Sequence, residues 1–121
     1  MKDRIIVKFD IFKTDIYFCY TAKSYEKTLD KFNPGFDNAL AASGRCTELL
    51  PDGKSHKIII GVDSAHSLSI QSLKGTVVHE ISHAIDYICD KYGFKCTEFR
   101  VYVTQYLYLN IIDYVDKKIS K

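Results

Sequence analysis

The residues of this chain best suited to chemistry lie in one short segment, VVHEISHAID, which contains His79, Glu80 and His83. Residues four apart on an α-helix lie about 40° apart on one face, so two imidazoles can direct a nitrogen each at one ion. Imidazole nitrogen is a preferred ligand of zinc. Glu80 lies about 100° round from His79, where its carboxylate can reach a metal-bound water instead of the metal. The spacing therefore predicts a zinc site with two histidine ligands and Glu80 as general base.

The opposite face of the same predicted helix is apolar. Its residues are Val77, Val78, Ile81, Ala84, Ile85 and Ile88. A stripe of this width is typical of a helix that packs on a core. We therefore expect this face to be buried against a sheet and both histidines to face away from it.

A catalytic zinc ion takes three protein ligands and a water, so a third ligand is needed. Glu98 is the first choice, because it lies in the first turn of a second predicted helix that follows a tight turn. It reaches back towards His83 if the two helices cross at an angle. Asp86 shares the face of the histidines and either binds the ion or orients an imidazole through its other ring nitrogen. His66 and Asp63 are the remaining candidates.

The rest of the chain predicts the elements that position these residues. In order, they are strands over 4–11 and 15–20, a helix from Ser24 to about Lys31, a hairpin of RCTELL and KIIIGV around Pro51-Asp52-Gly53-Lys54, and helices from about Ser69 to Tyr92 and from about Thr97 to Lys118. Strands followed by helices predict an α+β fold, with a small, mostly antiparallel sheet and the helices packed on one of its faces.

Several local signals refine these predictions. Ser24 and Thr97 are expected N-caps, and Gly93 is expected to end the first long helix. Gly75 costs about 1 kcal/mol relative to Ala inside a helix, so we expect a close approach of helix and sheet there. Three consecutive isoleucines, 58–60, predict a strand that is covered on both faces.

Length and composition bound the class of protein. A chain of 121 residues with 46% apolar and 26% charged residues is typical of one globular domain, here residues 1–121. The net charge of +2 does not favour nucleic acid as a partner. No apolar run reaches the ~20 residues of a membrane span, and the first residues lack the apolar region of a signal peptide. We therefore expect a cytoplasmic protein without a membrane partner.

The HEISH segment resembles the zincin metallopeptidases, whose motif helix carries two histidine ligands and a glutamate. Asp86 stands where metzincins carry a glycine, and no third histidine follows, so the chain does not resemble that branch. A second helix bearing Glu98 in TEFRVYVTQYL is similar to the gluzincin arrangement. The nearest likeness is to small HExxH proteins encoded by phages and prophages, and the SprT-like and ImmA-type peptidases are related minimal folds.

The resemblance implies zinc-dependent hydrolysis of a protein or peptide substrate. Glu80 would take a proton from the attacking water. Tyr102, one turn after Glu98, is the first candidate partner for the oxyanion, followed by Arg100 and Tyr106. The resemblance also implies that the strand before the motif helix, Lys57–Val62, borders the substrate cleft and offers its edge to an extended peptide. The alternative is a zinc-binding protein without hydrolytic activity, such as a regulatory or phage accessory protein.

Overall fold

The computed structural model describes residues 3–9, 13–35, 37–49, 56–93 and 95–120. The strands are β1 (Arg4–Phe9), β2 (Thr14–Cys19), β3 (Gly44–Leu49) and β4 (His56–Val62), and the helices are α1 (Ala22–Phe32), α2 (Ile70–Tyr92) and α3 (Thr97–Ile119). A single 3-10 turn, Ser64–His66, precedes α2. The predicted α+β class is confirmed.

The four strands form one sheet in the order β1-β2-β4-β3. β1 pairs with β2 and β3 pairs with β4 in antiparallel fashion, whereas β2 and β4 are parallel. The sheet is therefore mostly antiparallel, as predicted, and the expected pairing of RCTELL with KIIIGV is present. The turn predicted at Pro51–Lys54 lies outside the described residues. This order places β4 in the interior of the sheet and β3 at its edge.

Helices cover both faces of the sheet, so the prediction that they pack on one face is wrong. Side chains of β4 alternate between the two sides, as the pleat requires. Ile58 and Ile60 enter the larger core beneath α2 and α3, whereas Ile59 enters a smaller core beneath α1. All three are fully buried, as the run of isoleucines predicts. α1 covers the second face because it connects β2 to β3 across it.

The close approaches between helix and sheet occur at strand glycines. A Cβ atom on Gly61 would lie 2.3 Å from the ring of Tyr25 on α1, and one on Gly44 would lie 2.6 Å from Thr76 on α2. Gly75 has no atom within 4 Å of its Cβ position and is exposed. The predicted close approach at Gly75 is therefore wrong, because this residue lies on the open face of α2.

α2 has nearly the predicted bounds, and it ends at Gly93 as predicted. The hydroxyl of Ser69 accepts a hydrogen bond from the backbone of the first turn, and Gly93 ends the helix in the left-handed conformation with φ of 70°. Both groups satisfy backbone atoms that have no partner within the helix. No helix in the described part of the chain is long and apolar enough to cross a membrane.

The N-caps of the other two helices differ from the predictions. The N-cap of α1 is Thr21, three residues before the predicted cap at Ser24. The hydroxyl of Thr21 accepts the capping hydrogen bond from the backbone N–H of Ser24. The cap position of α3 is Cys96 instead of Thr97, and no side chain caps this helix. Both differences move a helix boundary without changing which residues share a face.

Candidate metal centre

His79 and His83 lie on the exposed face of α2, one turn apart, as their spacing predicts. Their Nε2 atoms are 3.2 Å apart, and the rings meet edge to face with centroids 4.8 Å apart. The buried side of α2 contains Val77, Ile81, Ala84, Ile85 and Ile88, whereas Val78, which was predicted on the same face, is 46% exposed. The helix therefore presents two imidazole nitrogens towards the same point in solvent.

The spacing of the two nitrogens suits a shared zinc ion. Nitrogen ligands about 2.0–2.1 Å from a tetrahedral zinc are about 3.3–3.4 Å apart, close to the 3.2 Å between the Nε2 atoms of His79 and His83. One imidazole donating a hydrogen bond to the other satisfies the same distance. The distance between the two nitrogens thus fits the metal that the motif implies.

Glu80 is buried, with 5% of its surface exposed. Its side chain packs against Gly44, where a Cβ atom would lie 3.1 Å from the carboxylate oxygen Oε2. Burial raises the pKa of this carboxyl group, and the nearby His79, His83 and Arg45 oppose the rise. In the described part of the chain the carboxylate makes no hydrogen bond or ion pair. The result is a carboxylate with enhanced basicity beside the two imidazoles.

The strand that borders Glu80 is β3, not β4. The prediction that the edge of Lys57–Val62 is free for a peptide is wrong, because β4 pairs with β2 on one side and β3 on the other. β3 pairs with β4 alone among the described strands, and α2 packs along it. Gly44 at the start of β3 is what lets Glu80 come this close. Among the described strands, the edge of β3 that lies away from β4 is therefore unpaired, and it is one strand further out than predicted.

A cleft runs from Glu80 along the N-terminal half of α2. Its inner part, about 520 Å³, is lined by Ala42, Ser43, Gly44, Ser72, Gly75, Thr76, His79 and Glu80. Its outer part, about 290 Å³, shares Ala42, Ser43, Ser72 and Thr76 with the inner part and extends to Leu40, Ala41, Asp63, His66, Ser67 and Leu68. The shared lining residues make the two parts one continuous space.

Two ion pairs define how α3 lies along α2. Asp86 of α2 binds Arg100 of α3, and Lys74 of α2 binds Asp116 of α3 at 2.8 Å. Going back along α2 from Asp86 to Lys74 therefore corresponds to going forward along α3 from Arg100 to Asp116. The two helices are antiparallel neighbours, as the tight turn between them predicts.

This register bears directly on the predicted third ligand. His79 and His83 lie between the two ion pairs, so they are level with the part of α3 that follows Arg100. Glu98 precedes Arg100 and is exposed, so it lies level with the part of α2 that follows Asp86. No third Asp, Glu, His or Cys side chain joins the two histidines in the chain as described. The structure does not bring Glu98 to them.

Neither Asp86 nor Tyr102 makes a hydrogen bond to the two histidines within the described residues. The Asp86 carboxylate is engaged by Arg100 and makes no hydrogen bond to an imidazole within the described residues. Tyr102 is 69% exposed and makes no hydrogen bond in that part of the chain. Tyr106 packs its ring on Phe9 of β1, at 5.2 Å between centroids. Of the predicted site residues, the structure brings together His79, Glu80 and His83.

Sequence reasoning missed two features of this region. Gly44 is the residue that makes room for Glu80, and only its position in a strand hints at this. Ser72 and Thr76 extend the stripe of His79 and His83 back along α2, and the spacing of four, three and four residues would have revealed it. Both features define the cleft rather than the metal ligands.

Comparison of the chain with protein-family models, with curated proteins and with solved structures finds no match.

Proposed function

We propose that this protein is a zinc-dependent metallopeptidase in which His79 and His83 bind the metal and Glu80 is the general base. The observation that carries the proposal is the 3.2 Å separation of the two Nε2 atoms beside a buried carboxylate that makes no ion pair in the described part of the chain. A helix that needed only a solvated surface would not require an acid buried between its histidines and the sheet edge.

The metal and Glu80 have different roles in the proposed hydrolysis. Zinc, when bound, polarises the substrate carbonyl and lowers the pKa of a bound water towards about 7. Glu80 takes the proton of the attacking water and returns it to the leaving amine. Its raised pKa suits this role, because a carboxylate whose pKa is closer to neutral pH is a better proton acceptor. Gly44 makes room for the carboxylate, because a Cβ atom there would lie 3.1 Å from its Oε2 atom.

The proposed substrate is an extended segment of a protein or peptide. It would lie in the cleft and pair with the free edge of β3, so that one of its carbonyl groups faces the histidines. Tyr102 belongs to the part of α3 level with the histidines, which supports it as the proposed donor to the oxyanion. A cytoplasmic location is part of the same proposal.

A zinc-binding protein without hydrolytic activity is the second candidate. It is favoured by one observation: in the described part of the chain only two side chains of ligand type come together at the site. Such a protein would bind the metal to hold a partner or to stabilise α2. The function of such a protein would not depend on Glu80 as a general base.

The two candidates are separated by Glu80→Gln, which keeps the shape of the side chain and removes the base. The expected result is one zinc per chain in both the native protein and the variant, with turnover of a cleavable peptide reduced at least ~10²-fold. Peptides from a random library identify the substrate, and chelator-treated protein is the blank. Asp90→Asn, on the same helix at an exposed position, is the matched control and should retain turnover.

Native turnover in Glu80→Gln would exclude the peptidase mechanism even if zinc is present. Loss of zinc in this variant would show that Glu80 binds the metal. Hydrolysis by neither protein, with zinc bound to both, would favour the second candidate.

A further inference from the structure

We propose that the cavity between β1 and α1 binds the phosphate group of a small phosphorylated molecule, and that Arg4, Lys23 and Lys27 hold this group. The cavity lies away from the candidate metal centre, because β1 and β3 are opposite edges of the sheet and α1 covers the face that α2 does not. The inference is therefore independent of the proposed zinc site and of peptide hydrolysis.

The described side chains that line this cavity are all polar or charged. Its volume is about 430 Å³. Among these residues three are cations, three carry hydroxyl groups and only Asp3 is an acid. The cations come from two elements, with Arg4 at the start of β1 and both Lys23 and Lys27 in the first half of α1. Clefts lined mainly by one sign of charge attract ligands of the opposite sign, so this cavity suits an anion.

The positive charge of the cavity is not balanced within the described part of the chain. Asp3 is already paired with Lys118, at 2.8 Å between Oδ1 and Nζ. None of the three cations forms an ion pair with another described residue. Lys23 and Lys27 are four residues apart and are therefore neighbours on the surface of α1, where like charges repel each other. An anion bound between them and Arg4 would offset this repulsion.

Arg4 is held in position by two contacts. Its Nη1 atom donates a hydrogen bond to Oγ1 of Thr28 at 2.9 Å, and its Cζ atom lies 5.4 Å from the centre of the Tyr17 ring. Thr28 is 1% exposed, so this anchor belongs to the interior of the fold. A guanidinium group has five N–H donors, and the bond to Thr28 uses one of them. The others can bind two oxygens of one phosphate in the bidentate manner typical of arginine.

The charge and the size of the cavity select the class of ligand. A phosphate monoester carries about −1.5 to −2 charges at pH 7, which matches three cations better than the single charge of a carboxylate does. The volume of about 430 Å³ lies within the ~300–1,000 Å³ of sites that hold small molecules. A long polyanion needs a basic surface that extends well beyond one cavity, and the net charge of +2 does not favour such a partner. A small phosphorylated molecule therefore fits best.

The test measures the binding of inorganic phosphate and of a sugar monophosphate to full-length protein by calorimetry at constant ionic strength. Lys23→Gln combined with Lys27→Gln should weaken the affinity at least about 10-fold, because each substitution removes a charge-assisted hydrogen bond. Both lysines are exposed, so the variant should fold as the native protein does. Lys8→Gln combined with Lys95→Gln removes the same charge at exposed positions elsewhere and should leave the affinity unchanged.

Nuclear magnetic resonance provides a second measurement that requires no substitution of Arg4. The Nε–H signal of this residue should shift on saturation with phosphate, while its contacts with Thr28 and Tyr17 stay intact. His79→Ala should bind phosphate with the native affinity, which separates this cavity from the candidate metal centre.

Saturable binding of phosphate that is weakened in the double variant of Lys23 and Lys27, and retained in the control pair, supports the proposal. Tighter binding of the sugar monophosphate than of inorganic phosphate supports it further, because the rest of the ligand then also occupies the cavity. Absence of saturable binding, equal affinity for acetate and phosphate, or native affinity in the double variant would overturn it. So would loss of phosphate binding in His79→Ala, or tighter binding of a phosphoserine peptide than of the sugar monophosphate.

Discussion

His56 and the pair formed by His79 and His83 place the same side chain in opposite surroundings. His56 is 3% exposed, and its two ring nitrogens are both used, with Thr14 Oγ1 at 3.1 Å and Glu48 Oε2 at 2.8 Å. The imidazoles of His79 and His83 are exposed, and in the described part of the chain their Nε2 atoms contact only each other. The first arrangement is complete within the protein, whereas the second has room for a ligand.

The acidic residues of the two regions differ in the same way. Glu48 is bound to His56, and the network continues from Thr14 to the hydroxyl of Tyr92 at 3.0 Å. Glu80 is more deeply buried than Glu48 but makes no such bond within the described residues. No fully buried side-chain oxygen in the described part of the chain lacks a hydrogen-bond partner, so the carboxylate oxygens of Glu80 reach the cleft that this residue lines. The carboxylate of Glu48 is therefore engaged within the fold, whereas that of Glu80 is open to a ligand in the cleft.

The largest expected difference between the two regions is in metal binding. His79→Ala and His83→Ala should each weaken zinc affinity by at least about 100-fold, since each removes a direct ligand, and outer partners alone are worth 10–100-fold. His56→Gln should leave the affinity unchanged. Elemental analysis and chelator competition measure both quantities. Zinc content that is unaffected in both alanine variants would show that neither His79 nor His83 binds the metal.

Stability should respond in the opposite sense. Glu48→Ala removes the acceptor at Nε2 of His56, whose side chain is only 1% exposed, and should lower the free energy of unfolding by about 1–3 kcal/mol. Asp113→Ala breaks an exposed ion pair with Lys117 on α3 and should cost at most about 0.5 kcal/mol. Urea unfolding of metal-free protein measures both. Equal effects would mean that the His56 network is no more than a surface contact.

The two glycines beside the site test how tightly Glu80 is held. Gly44→Ala places a Cβ atom 2.6 Å from Thr76 and 3.1 Å from Glu80, so it should destabilise the fold by about 1–3 kcal/mol. Gly75→Ala meets no atom within 4 Å and should stabilise α2 by about 0.5–1 kcal/mol. Thermal unfolding of the two variants against the native protein is the measurement. Effects of the same sign would contradict the close packing of Gly44 against Thr76 and Glu80 and the open space at Gly75.

The pH dependence of stability should differ in sign between the regions. Burial lowers the pKa of His56, and Lys91 adds to this, although Glu48 opposes it. As the pH falls below about 6.5, the unfolded chain takes up a proton that folded His56 resists, so stability is lost. Burial raises the pKa of Glu80, so the folded protein takes up its proton first as the pH falls towards 4.5, and stability is gained.

Unfolding of metal-free protein between pH 7.5 and 4.5 separates these two contributions. His56→Gln should lose less stability on acidification than the native protein, and Glu80→Gln should lose more. Parallel curves for the native protein and both variants would show that neither group is perturbed as the structure indicates.

Much of this protein was predictable from local sequence. Most of the apolar stripe of α2, the shared face of His79 and His83 and the left-handed end at Gly93 follow from residues within one or two helical turns. Helical spacing decides such features without reference to the rest of the chain. The buried run of isoleucines likewise predicted a strand covered on both faces.

Tertiary structure alone decided what surrounds the motif. The position of β3 at the sheet edge buries Glu80 against Gly44, and no periodicity in the sequence predicts that contact. The ion pair of Asp86 with Arg100 sets the register of α3 along α2. In this register Glu98 is level with the part of α2 that follows Asp86 and not with the histidines. Strand order and helix register depend on contacts between residues far apart in the chain. A pattern that repeats every few residues contains no information about either.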